Sequence, residues 1–136
     1  VAEGEKIMPI ITALYAGLLG LVAFGVAFPA GRLRGRLGIS VGDGGNNDLL
    51  CAMRRHANFA EWVPLALLLI ALLELNGAPA AAIHALGAVL VLSRIAHAVG
   101  LRPDSIKSLA RLLGAAGTVL VMTVASIWLI VLYLRH

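Results

Sequence analysis

The sequence predicts an all-α integral membrane protein, a four-helix bundle in one domain, and three observations predict it. Of the 136 residues, 60% are hydrophobic and only 13% charged, against roughly 25% charged in a soluble domain, and the mean hydropathy is +0.94. Apolar runs of spanning length recur four times. At about 20 residues per crossing these nearly exhaust the chain and leave no room for a soluble domain. Nine of the eleven Lys and Arg residues fall on one side of the resulting layout.

Residues 1–7 are a polar tail ahead of Met8-Pro9, which reads like a natural start, and residues 8–136 form the domain. A cleaved signal peptide is not expected, because the first apolar segment is a full span without a basic region before it. That span covers about residues 9–28, carries no charge and is expected to end at Pro29 with Gly31 close behind. A polar loop with Arg32, Arg34 and Arg36 follows, then Gly42-Asp43-Gly44-Gly45-Asn46-Asn47-Asp48, which is turn chemistry running into helix N-cap residues. These glycines do not make a phosphate cradle, since no strand precedes them and no Gly-Lys-Ser/Thr follows.

The second helix, residues 47–75, would be roughly 43 Å long against a hydrocarbon core of about 30 Å. Its first turns must sit at the interface or line a polar cavity. Pro64 cannot donate to the Ala60 carbonyl, so either a bend near Glu61 or a tolerated membrane proline is expected. Asn76-Gly77-Ala78-Pro79 is a tight turn into the third span, which runs to about Gly100. Arg102-Pro103-Asp104-Ser105 supplies a break and a cap, and the fourth span continues to Leu134, free of charge from Leu112 on. Gly17, Gly20, Gly25, Gly87, Gly114 and Gly117 are expected where helices approach closely.

The charge bias places the first and third loops in the cytoplasm and both termini outside. A net charge of +4 would suit nucleic acid, but the cations form no run with interleaved aromatics, and no nucleic-acid partner is expected. The single Cys51 can form no internal disulfide and gives no metal-ligand spacing.

Arg54, Asn58 and Glu61 are the informative residues. At i, i+4 and i+7 they share one face of an apolar spanning helix, where ionisable groups are costly and signal function. Arg94 and His97 near the end of the third span, Lys107, Ser108 and Arg111 at the start of the fourth, and Arg32 at the end of the first sit at similar depth. The cluster is cationic with one carboxylate, so its natural ligand is an anion that also carries an amine. Arg grips carboxylate bidentately, Asn satisfies an amide and Glu accepts from ammonium.

Bland alternatives stand beside this. Arg54 and Glu61 could be a structural pair bridged by Asn58, Arg94 could pair with Glu61, and Arg34, Arg36, Arg55 and Arg102 read as structural or headgroup-facing cations. His56 reads as an inter-helix hydrogen bonder, His84 as structural without a polar companion, and Cys51 as an inert buried thiol. Ser108 could donate to a thiolate or simply satisfy the helix terminus.

Arg54-x-His56-x-Asn58-x-x-Glu61, Arg32-Leu33-Arg34, Arg94-x-x-His97 and Ile106-Lys107-Ser108 together resemble the MAPEG family, the membrane-associated proteins in eicosanoid and glutathione metabolism. Gly42-Asp43-Gly44-Gly45 and His56-Ala57-Asn58-Phe59-Ala60-Glu61 resemble its bacterial branch. The resemblance implies a homotrimer with glutathione bound between subunits near the cytoplasmic face. It assigns the tripeptide to Arg54, Asn58 and Glu61, with Arg32, His97 and the start of the fourth helix completing the site in some members, and Arg94, on the His97 face, stays a candidate from the residues themselves. The family's active members carry tyrosines where this chain has Leu101 and Arg111, and an arginine where it has Lys107. Thiol activation would therefore fall to Lys107, Arg111 or Ser108, since a neighbouring cation lowers a thiol pKa.

The expected activity is a glutathione-dependent transferase or peroxidase acting on lipophilic electrophiles in a bacterial inner membrane. Two rivals are a non-catalytic lipid-binding or scaffolding protein and a small multidrug exporter. The exporter is disfavoured because its essential Glu belongs in the first span, which here has none.

Overall fold

The computed structural model describes residues 8–104 and 107–135. The polar tail with Lys6, and the expected cap and motif residues Ser105 and Ile106, lie outside the described residues. The chain forms four helices, α1 (Ile10–Leu37), α2 (Asn47–Leu75), α3 (Ala80–Gly100) and α4 (Leu109–Leu134), each long and apolar enough to cross a membrane. Short connections make successive helices antiparallel. Every pair packs together except α1 and α4, so α2 and α3 form the shared middle.

The first span does not end at Pro29. The proline sits inside α1, which continues through Arg32, Arg34 and Arg36 to Leu37. Only the Gly25 carbonyl loses its donor at Pro29, whereas leaving the helix there would strand several carbonyls in lipid. At 28 residues the helix is about 42 Å long and overruns the hydrocarbon, which carries its arginines to the interface. Gly38 then stops it with a left-handed φ of 67° and an N–H donated to the Arg34 carbonyl. Asn46 caps α2 by accepting from the Leu49 N–H at 2.9 Å. α2 runs unbroken through Pro64.

Apolar side chains of all four helices make the core, with Leu19, Ile70, Leu73, Ile83, Leu90 and Val121 almost wholly buried. Leu21, Phe24, Phe28, Leu120 and Ile130 face outward, as a lipid-facing surface requires. With no hydrophobic force between helices in lipid, close packing has to hold them together. α3 and α4 meet through glycine: a Cβ on Gly114 would strike the His97 N and Ser93 O, one on Gly100 the Arg111 backbone, and one on Gly117 the Ser93 hydroxyl. Gly87 likewise receives the Tyr15 ring, but Gly17, Gly20 and Gly25 border open space and make no such contact.

The end of the bundle opposite the cationic cluster is tied by Glu74 in the last turn of α2. Its carboxylate accepts from the Ile11 N–H (2.8 Å), the Thr12 N–H (2.7 Å) and the Thr12 hydroxyl (2.6 Å). It thus caps the N-terminus of α1, which has no side-chain cap of its own and whose dipole favours an anion. Beside it, the Tyr15 hydroxyl and His84 Nδ1 are hydrogen-bonded at 3.0 Å, so His84 does have a polar companion.

Candidate functional site

The α2 stripe divides into two. Asn58 turns inward, half-buried, while Arg54 and Glu61 are exposed. At 100° per residue the two charged side chains lie within about 20° of each other and 40–60° round the helix from Asn58. Glu61 is fourteen residues from either end of α2, or about 21 Å. A helix that crosses about 30 Å of hydrocarbon with only that length beyond Glu61 must hold the carboxylate inside the apolar layer. Arg54, seven residues nearer the start of α2, lies at the edge of that layer. The alternative of a structural bridge from Arg54 through Asn58 to Glu61 is not realised, since Asn58 is bonded to Arg94.

Asn58 is instead taken by Arg94, whose Nη2 donates to its Oδ1 at 2.6 Å. Arg94 is only 2% exposed and is the largest of the fully buried side chains. Its Nη1 donates to the Thr118 hydroxyl at 3.3 Å, and its guanidinium lies 5.7 Å from the Phe59 ring centroid. Arg94 therefore does not pair with Glu61. His97, one turn on, is also buried. Arg94, His97, Asn58 and Thr118, with Trp62, Ala115 and Val119, line a cavity of about 70 Å³.

A larger groove of about 480 Å³ lies at the start of α4, lined by Lys107, Ser108, Leu109, Arg111, Leu112 and Ala115. It is cationic at one end and apolar along the helix. Ser108 spends its hydroxyl oxygen on capping α4, accepting from the Arg111 N–H at 3.3 Å. The helix therefore begins after Ser108, later than the break at Pro103 suggested. Ala115 lines both the groove and the small cavity, so the two adjoin.

The chain thus gathers Asn58, Arg94 and His97 behind a groove carrying Lys107, Ser108 and Arg111. It does not bring Arg54 and Glu61 to that groove, and Arg32 stands exposed on the last turns of α1. Other cations serve the fold. Arg55 donates through Nε (2.7 Å) and Nη2 (2.5 Å) to the Leu101 carbonyl, which also accepts from the buried Cys51 thiol at 3.3 Å. Arg34 bonds the Ser40 carbonyl at 3.1 Å. His56 is exposed and makes no inter-helix hydrogen bond among the described residues. Sequence reasoning missed Trp62 and Thr118. Thr118 stands two turns beyond Arg111 on the same face of a charge-free span, a signal that would have found it.

The MAPEG family model matches residues 12–131. The Escherichia coli K12 inner membrane protein YecN is 38% identical over 90 residues, covering 66% of this chain and 69% of the relative. The YecN of E. coli O6:H1 strain CFT073 matches with the same identity and coverage. No solved structure matches.

Proposed function

The chain belongs to the MAPEG family, and from that premise we propose that it is a glutathione-dependent transferase or peroxidase for lipophilic electrophiles. It is a multi-pass bacterial inner membrane protein. The observation that carries the proposal is the α4 groove, where two cations and Ser108 adjoin an apolar floor of Leu109, Leu112 and Ala115. Such a groove suits a thiolate beside an electrophile dissolved in lipid.

The donor set fits the tripeptide. Arg54 matches a carboxylate, Glu61 matches an ammonium, and the Asn58 amide keeps its N–H donors because only its oxygen is used by Arg94. A lone carboxylate facing lipid at the depth of Glu61 is costly, which supports assembly as a homotrimer. There the Arg54 and Glu61 face of one subunit would meet the groove of the next, completing a site near the cytoplasmic face.

In that site Lys107 and Arg111 hold the thiol as thiolate. In transfer, sulfur forms a bond to the electrophilic carbon as the leaving group departs with its electron pair. In peroxide reduction the thiolate would take the distal oxygen as its hydroxyl while the O–O bond breaks, the departing alkoxide would take a proton from water to leave as alcohol, and a second thiol would convert the sulfenic acid to disulfide and water.

Calorimetry of glutathione with the detergent-purified protein tests the proposal, with Arg54→Ala as control. Binding in the micromolar to millimolar range that the substitution removes supports it. Absence of binding to folded protein favours the second reading, a lipid-binding or scaffolding role, which the Leu101 and Arg111 found in place of tyrosines supports.

A further inference from the structure

A separate groove of about 340 Å³ runs between α1 and α3, within the roughly 300–1,000 Å³ of a small-molecule site. Gly25 and Pro29, one turn apart on α1, and Ala98 and Val99 in the last turn of α3 form its apolar bed. Arg55 and Arg102 supply its charge, and no carboxylate lines it. The groove shares no residue with the one on α4. Arg55 also lies about 100° round α2 from Arg54, so the groove is not part of the face assigned to glutathione.

Helix lengths set its depth. α3 has 21 residues, about 31 Å, which matches a hydrocarbon core of about 30 Å. Its end at Gly100 therefore marks the boundary of the apolar layer, and Arg102, two residues beyond, stands at the level of the headgroups. Arg55 is held at that level, because its Nε and Nη2 both donate to the Leu101 carbonyl. Its Nη1 and the exposed Arg102 side chain make no hydrogen bond among the described residues. The bed lies on the hydrocarbon side: Ala98 and Val99 precede Gly100, and Gly25 is about 18 Å before the end of α1, further than the roughly 12 Å by which that helix overruns the layer.

We propose that this groove holds one phospholipid of net negative headgroup charge, with its phosphate on Arg55 and Arg102 and an acyl chain along Gly25 and Val99. Arginine grips a phosphate bidentately, and basic pockets between spanning helices suit anionic headgroups. A zwitterionic headgroup would bring an ammonium to two cations with no carboxylate in the groove to receive it. A free phosphate would leave the apolar bed unused. The site does not depend on glutathione, so the two proposals fail separately.

Native mass spectrometry of the detergent-purified full chain, without glutathione, tests this with equimolar phosphatidylglycerol and phosphatidylcholine of identical acyl chains. The expected result is one phosphatidylglycerol retained per chain at collision energies that strip phosphatidylcholine. Arg102→Gln should cut that preference about fivefold, as loss of one interfacial cation predicts. Arg135→Gln, at the opposite end of the bundle, should leave it unchanged. Gly25→Leu puts a side chain into space that is open in the chain and should weaken retention with the charge unaltered. Glycerol phosphate should not compete. Equal retention of the two lipids, a preference that survives either groove variant, or displacement by glycerol phosphate would each overturn the proposal. So would a changed oligomeric mass in Gly25→Leu, which would make the groove a contact between copies of the chain.

Discussion

The two ends of the bundle carry polar groups of similar cost and treat them in opposite ways. At one end Glu74 receives three hydrogen bonds from α1, and Tyr15 bonds His84 across the helices. At the other end Arg94 and His97 keep interior atoms that no described residue meets, and Arg54 and Glu61 face outward from the bundle. Buried polar groups that bond one another define a structure. Groups held in place but left with spare bonding capacity define a site.

The contrast breaks most visibly if Arg54 is removed. On the proposed function, Arg54→Ala should reduce glutathione-dependent turnover about a hundredfold, the worth of a charge-assisted bond of some 2–3 kcal/mol, with helicity and elution volume unchanged. Steady-state kinetics with size-exclusion chromatography check this, and near-normal turnover would remove Arg54 from the mechanism.

Glu74→Gln should do the opposite. It sets an amide NH2 among donors at the start of α1 and should cost about 2 kcal/mol of stability, read as a lower unfolding midpoint with glutathione binding intact. Glu61→Gln is its natural counterpart, sparing stability and weakening binding. Should the two exchange phenotypes, the division between the ends is wrong.

Gly114→Val tests the seam between the ends, since its new side chain meets backbone atoms of α3. A loss of about 1–3 kcal/mol is expected from overpacking, and a Gly17→Val control facing open space should lose much less. The smallest effect is expected for Tyr15→Phe, about 1 kcal/mol from one hydrogen bond, with no change in turnover.

Much of this was legible in the residues. Charge-free runs of spanning length located the helices, and Asn46 and Gly77 marked their boundaries because cap and turn chemistry is local. The end of α1 was misread because proline followed by arginines resembles a loop in water, while lipid favours keeping the helix intact past Pro29. Glu74 was missed because its partners, Ile11 and Thr12, are more than sixty residues away, and no periodicity encodes that distance. The choice of Asn58 over Glu61 as the partner of Arg94 depends on how far α2 is rotated about its axis. A shared face in sequence spans 60° or more, so it could not distinguish them.

The lack of contact between α1 and α4 makes the molecule separable. Effects of substitutions on distant sites without shared partners add, whereas neighbours couple. Changes to the groove face of α4 can therefore accumulate without loosening the Glu74 tie on α1, unless they act through α2 or α3. New ligand preferences could thus evolve, or be engineered, on α4 while the opposite flank keeps the bundle folded.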